Sequence, residues 1–289
     1  MNDDLLEQVA RQLTRVADAL EAGVMKPPKD WGASSAFRLH HRLGQLRIEP
    51  VEFQTPILIN QLCNIDSQLS RVTDNTRRFI KGLPANNVLL TGARGTGKSS
   101  LVRAMLAEYA ASGLRLIEVD KADLLYLQDV VDLVSGRPEK YIVFCDDLSF
   151  EEGESGYKAL KSVLDGSIAG VCANVLVYAT SNRRHLIPQQ MKDNLQTEHS
   201  NLGEIRPAES IEEKVSLSDR FGLWVSFHSF SQDEYLKAVQ YWLEHWNVPY
   251  DDQARHIALR WTIERGGRSG RLANQFAKFW AAAYLEGQT

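Results

Sequence analysis

The sequence predicts an α/β protein built on a parallel sheet, with a small all-helical domain at its C-terminal end. Short apolar runs at 88–90, 114–119, 141–145, 174–179 and 223–227 alternate with helical patterns. Runs of this kind suit strands buried on both faces between helix layers. The first run leads through Thr91 into Gly92-Ala93-Arg94-Gly95-Thr96-Gly97-Lys98-Ser99 and then into a helix. After Phe230 the apolar period becomes helical throughout.

Residues 2–22 read as an amphipathic helix. Asn2 caps it, Asp3 and Asp4 suit its first turn, and Gly23 ends it before Pro27-Pro28. Leu6, Val9, Leu13, Val16 and Leu20 form a seam that packs on the chain's own body or docks on a partner. Residues 1–25 are thus an N-terminal helical element. Residues 26–56 read as an irregular connector, with prolines, Ser34-Ser35 and the basic cluster Arg38, His40, His41, Arg42 and Arg47. Those charges are solvated or meet nucleic acid.

The α/β core spans 57–229. It opens with a helix from about 66 to 80, with Leu69, Val72, Phe79 and Ile80 apolar. The helix after the glycine-rich segment carries Val102, Met105, Leu106 and Tyr109, and a later one carries Tyr157, Leu160, Val163 and Leu164 before Gly166. The helical domain spans 230–289. Ser231 and Glu234 form a capping box for its first helix, with Tyr235, Leu236, Val239, Trp242, Leu243 and Trp246 as the apolar side. A second helix runs from about 252 to 264. A third follows Ser269, with Leu272, Phe276, Phe279, Trp280 and Ala283 as its stripe.

Bulk properties narrow the function classes. At 289 residues with 44% hydrophobic and 24% charged residues, the chain has the composition of a globular protein with a substantial core. No apolar run approaches bilayer length, and the acidic start is unlike a secretory signal. Cys63, Cys145 and Cys172 lack C-x-x-C spacing and read as reduced thiols, which points to the cytoplasm and to no zinc site. A net charge of −4 argues against a surface coated with phosphate-binding cations.

The glycine-rich segment has the G-x-x-x-x-G-K-S spacing of a phosphate-binding loop. Gly92, Gly95 and Gly97 free the backbone to curl, so that amides of Ala93, Arg94, Thr96 and their neighbours through Ser100 cradle phosphates at a helix N-terminus. Lys98 would reach the β- and γ-phosphates of a nucleoside triphosphate, and the Ser99 hydroxyl would sit on Mg²⁺. The third apolar run ends in Asp146-Asp147. Asp146 suits the Mg²⁺ water shell, while Asp147 suits orientation of an attacking water, with Glu151 and Glu152 as backup candidates. Asn182, at the end of the fourth run, could hydrogen-bond the γ-phosphate and that water.

This order of parts, continued by Ser218-Asp219-Arg220-Phe221 and by Gly270-Arg271 in the helical domain, resembles the AAA+ ATPase superfamily over about residues 57–286. The strings at 84–90, 144–150 and 179–185 are similar to a family of bacterial ATP-binding proteins known only as a domain of unknown function (number 815). The resemblance implies a P-loop NTPase (AAA+) fold with a parallel five-stranded sheet, order 5-1-4-3-2, and the nucleotide between core and lid. It implies a Mg²⁺-dependent ATPase that acts as a nucleotide-promoted homo-oligomer on an unknown protein client. By the resemblance, Arg220 reaches the γ-phosphate of a neighbouring subunit, and Arg271 acts from the lid in cis, with Arg268 as a competitor. Ile65, in Leu62-Cys63-Asn64-Ile65-Asp66, lies where the superfamily lodges adenine. Two departures stand out. Asp147 replaces the usual glutamate, and the segment containing Tyr126 lacks the aromatic–apolar–glycine pore loop of polypeptide unfoldases. The polar stretch 189–210 reads as a surface loop that could contact a client.

Overall fold

Successive side chains along a strand point to opposite faces of its sheet, so a strand covered on both sides must be apolar at every position. The central strands of this protein, known from a computed structural model, meet that condition over 88–90, 141–145 and 175–179, with polar residues only at their ends. The structure describes residues 7–9, 11–12, 25–42, 45–52, 57–150, 154–166, 172–182, 198–199, 205–206 and 217–287. Most of the N-terminal helix expected over 2–22, Glu151 and Glu152, Arg183 to His185 and nearly all of the 189–210 stretch lie outside the described residues.

Strands β1 (Ala36–Arg42) and β2 (Gln45–Val51) precede helix α1 (Asp66–Ile80). Then come β3 (Val88–Gly92), α2 (Lys98–Tyr109), β4 (Leu114–Glu118), α3 (Leu127–Val134), β5 (Lys140–Cys145), α4 (Ser155–Asp165) and β6 (Val175–Ser181). A two-residue pair, β7 (Glu198–His199) with β8 (Ile205–Arg206), precedes β9 (Leu223–Phe227). Helices α5 (Gln232–His245), α6 (Asp252–Arg265) and α7 (Gly270–Leu285) follow.

Seven strands form one sheet in the order β2-β1-β4-β5-β6-β3-β9. All neighbours are parallel except β1 with β2. This corrects the expected five-stranded sheet. Two further strands continue it beyond β4, one pair is antiparallel, and the order of the whole is therefore not 5-1-4-3-2. It also corrects the reading of 26–56 as an irregular connector. Phe37, Leu39, Leu46 and Ile48 are buried while Arg38, His40, Arg47 and Glu49 alternate with them, a period of two that pairs β1 with β2.

The sheet separates two apolar layers. Leu89, Ile117, Tyr141, Val143, Val177 and Ala179 pack with α3 and α4 on one face. Val88, Leu90, Leu116, Ile142, Phe144 and Tyr178 pack with α1 and α2 on the other. The second face has a polar tie. The buried Tyr178 hydroxyl accepts a hydrogen bond from Asn75 Nδ2 at 3.1 Å and lies 2.8 Å from Thr76 Oγ1, joining β6 to α1. The last three helices have a separate core around Tyr235, Val239, Leu243, Ala258 and Phe276. Tyr126 ends a short 3-10 turn (Lys121–Tyr126), packs against the first layer and meets the His41 ring edge-on. Among the described residues, no helix is long and apolar enough to cross a membrane.

Candidate functional site

The carboxyl ends of parallel strands open into a crevice where backbone groups are left unpaired and ligands bind. Here Gly92 ends β3, Asp146 and Asp147 follow β5, and Asn182 follows β6, all at that end. A cleft of about 1160 Å³ lies there, roofed by α5 and α7. Arg94, Gly95, Thr96, Gly97, Lys98, Ser99 and Ser100 line it from the glycine-rich loop, with Asp146, Asp147, Thr180 and Asn182 from the sheet. Ile65 and Arg271 also line it, whereas Arg220 and Arg268 do not.

Two glycines of the loop have specific reasons to be glycine. Gly92 has φ 130°, and a Cβ there would fall 1.9 Å from the carbonyl oxygen of Phe227 on β9. Gly95 has φ 76°, and a Cβ there would meet Ser269 Oγ at 2.8 Å. Ser269 caps α7, its hydroxyl accepting from Leu272 N–H. The Arg271 N–H then donates to Gly95 O at 3.1 Å, so the loop and the lid helix touch directly.

Lys98 begins α2 and is only 6% exposed. Its ammonium donates to the carbonyls of Gly92 and Ala93 at 2.7 Å each and to Asn182 Oδ1 at 3.1 Å. Burial lowers its pKa from the ordinary lysine value; Asp147 and Asp146 oppose the shift, while Arg271 and Arg94 add to it.

The acidic pair is tightly organised. Ser99 Oγ and Thr180 Oγ1 each donate to Asp146 Oδ1 at 2.6 Å. The Asp147 N–H reaches Thr180 Oγ1 at 2.9 Å and Asp146 Oδ1 at 3.2 Å. Asp147 sits at φ 51°, in the left-handed region. Its carboxylate accepts from Asn182 Nδ2 and lies 3.9 Å from an Arg94 nitrogen. Arg94 and Asp147 are both exposed, so that ion pair contributes little.

Donor chemistry here fits Mg²⁺. No group of three His, Cys, Asp or Glu side chains among the described residues could hold a metal. Mg²⁺ is commonly held by few protein oxygens together with water and phosphates, and Ser99 beside Asp146 supplies a hydroxyl and a carboxylate.

The cleft lining also includes Ile57, Leu62, Cys63 and Ile65 from the segment before α1, and Trp242, His245 and Trp246 from α5. The Asn64 side chain, next to Cys63, donates to Glu234 O at 2.8 Å and joins this segment to the lid. The sequence period shows the lid aromatics only as a helix stripe. Their place in the cleft depends on how α5 packs, which the period alone does not reveal. Arg220 lies away from this cleft, with its guanidinium on Asp165 at the end of α4.

The family described as "Protein of unknown function (DUF815)" matches residues 32–284. Among curated proteins, none matches the sequence. Of solved structures, a point mutant of Thermotoga maritima RuvB superposes with TM-score 0.53 at 14% identity, covering 82% of this chain and 69% of that one. AMPPCP-bound DnaA from Aquifex aeolicus superposes with TM-score 0.54 at 15% identity, covering 82% and 68%. The replication initiator DnaA bound to AMPPCP and single-stranded DNA gives TM-score 0.53 at 15% identity, covering 82% and 67%. The chain spans about two thirds of the length of each. RuvB and DnaA are AAA+ ATPases, and the likeness shows that fold.

Proposed function

The chain belongs to the family described as protein of unknown function (DUF815) and has an AAA+ fold, and from that premise we propose that it binds ATP with Mg²⁺ in the cleft and hydrolyses it to ADP and phosphate. The work is done in an oligomer, where lid movement acts on a macromolecular partner. One observation carries this reading: Lys98, the Ser99–Asp146 pair, Asn182 and Arg271 converge on one cleft from four separate segments. The AMPPCP in the two DnaA structures is of the same ligand class.

In this reading the amides of the loop hold the phosphates, and the Lys98 ammonium exchanges its carbonyl partners for β- and γ-phosphate oxygens. Mg²⁺ bound beside Ser99 and Asp146 supplies charge neutralisation at those oxygens. Asp147 orients the attacking water and accepts its proton, and Asn182 holds that water against the γ-phosphate. Arg271 contributes positive charge from the lid, and Arg220 contributes it from a neighbouring copy. The direct test is calorimetry with an ATP analogue. Lys98→Ala should abolish binding, and an unchanged affinity would overturn the placement of the loop.

A second reading is a nucleotide switch with little turnover. The engagement of Asp147 by Asn182, together with its short side chain, favours it. Steady-state phosphate release from wild type and Asp147→Asn separates the two. Turnover that falls to background in the variant supports hydrolysis, and turnover already at background in the wild type supports the switch. The basic cluster gives a DNA-loading role less support, because Arg38 pairs with Glu118 at 2.6 Å, His40 faces Glu49 and His41 faces Asp123.

A further inference from the structure

Among the described residues, every hydrogen bond to the Asp146 carboxylate falls on one oxygen. Oδ1 accepts from the hydroxyls of Ser99 and Thr180 and from the N–H of Asp147, while Oδ2 receives none. A carboxylate held by one oxygen offers the other to a ligand. The two hydroxyls are not equivalent. In the reading above, which this inference deepens and on which it rests, Ser99 turns to the cation and gives up its bond to Asp146. Thr180 has no such second duty. It is 1% exposed, it lies on β6 beside β5, the strand that Asp146 follows, and its hydroxyl is used in both directions. It donates to Asp146 Oδ1 at 2.6 Å and accepts from the Asp147 N–H at 2.9 Å.

We propose that Thr180 is the positioning residue of the cation site. It fixes the Asp146 carboxylate with Oδ2 available to the cation, and it pins the left-handed turn at Asp147, without itself ligating the metal. A threonine suits this place because its β-branch fits a buried strand while its hydroxyl serves as donor and acceptor at once. Outer groups that orient a metal-binding carboxylate commonly change metal affinity by 10- to 100-fold when removed.

The test measures the affinity of a fluorescent ATP analogue by anisotropy, in excess Mg²⁺ and in EDTA, for the wild type, Thr180→Val and Thr180→Ser. Valine keeps the branched shape and lacks the hydroxyl; serine keeps the hydroxyl. The Val variant should lose about tenfold of the Mg²⁺-dependent gain in affinity, with its affinity in EDTA unchanged, and the Ser variant should recover most of the gain. The Mn²⁺ resonance spectrum of the nucleotide complex should change in the Val variant and return in the Ser variant. A Val variant with the full Mg²⁺ gain, or a Ser variant as weak as Val, overturns the assignment. A wild type that binds the analogue in neither condition overturns the ATP reading of the cleft, and the role of Thr180 falls with it.

Discussion

Lys98 is held by the loop it is meant to serve, and its surroundings make its charge conditional. Burial pulls its pKa below the ordinary lysine value, and phosphate binding needs the protonated form. Nucleotide affinity should therefore fall as pH rises through the lowered value, before free lysine would titrate; calorimetry across the alkaline range checks this. The same shift acts on the empty protein. Between the lowered and ordinary values the unfolded chain holds the proton more tightly, so stability rises with pH across that window. Gly92 and Gly82 make a second comparison at this scale. Both have positive φ, but a Cβ at Gly92 meets the Phe227 carbonyl, whereas nothing lies within 4 Å of one at Gly82. Gly92→Ala should cost roughly 3 kcal/mol or more in urea denaturation and Gly82→Ala about 1 kcal/mol. The glycine spacing was legible in the sequence because it is local. The reason Gly92 tolerates no methyl was not, because it lies in a strand more than a hundred residues away.

Elements show the same division. Alternation in Phe37-Arg38-Leu39-His40 is a strand signal, yet the charged residues, two prolines nearby and Pro50 gave the stretch the composition of a connector. Pairing with β2 and β4 decides the matter, and pairing partners cannot be read from composition. Thr180 was visible as part of a strand end, but its bond to Asp146 needs β5 and β6 to be neighbours. Helix boundaries were easier, since caps are written locally. Ser269→Ala removes the cap of α7 and should cost about 1 kcal/mol in thermal unfolding. It should also weaken nucleotide binding, because that hydroxyl sits against Gly95. Tyr178→Phe leaves the α1–β6 packing in place and removes its shared hydroxyl, a loss of about 1 kcal/mol by the same measurement.

For the molecule as a whole, both sheet edges are occupied. At β2, Lys26 bonds Leu46 O and Ile48 N–H at 2.8 and 3.0 Å, and Pro50 lacks a donor. At β9, the carbonyls of Trp224 and Ser226 accept from Arg71 and Gln68 of α1. In the proposed assembly a second copy would therefore meet side-chain surfaces at these edges rather than add a strand. ATP with Mg²⁺ should promote oligomers in light scattering, and a monomer at every concentration would remove the oligomer from the reading. Arg220→Ala should retain nucleotide binding and lose phosphate release only under assembling conditions. Loss in a proven monomer would contradict action on a neighbour.

The peptide hydrogen bond from Arg271 to Gly95 ties the helical cap directly to the glycine-rich loop. In the proposed cycle, tilting the cap would pull on that loop's own carbonyl, and filling the loop with phosphate would stiffen the tilt. Releasing spent product and swinging the cap would then be one movement.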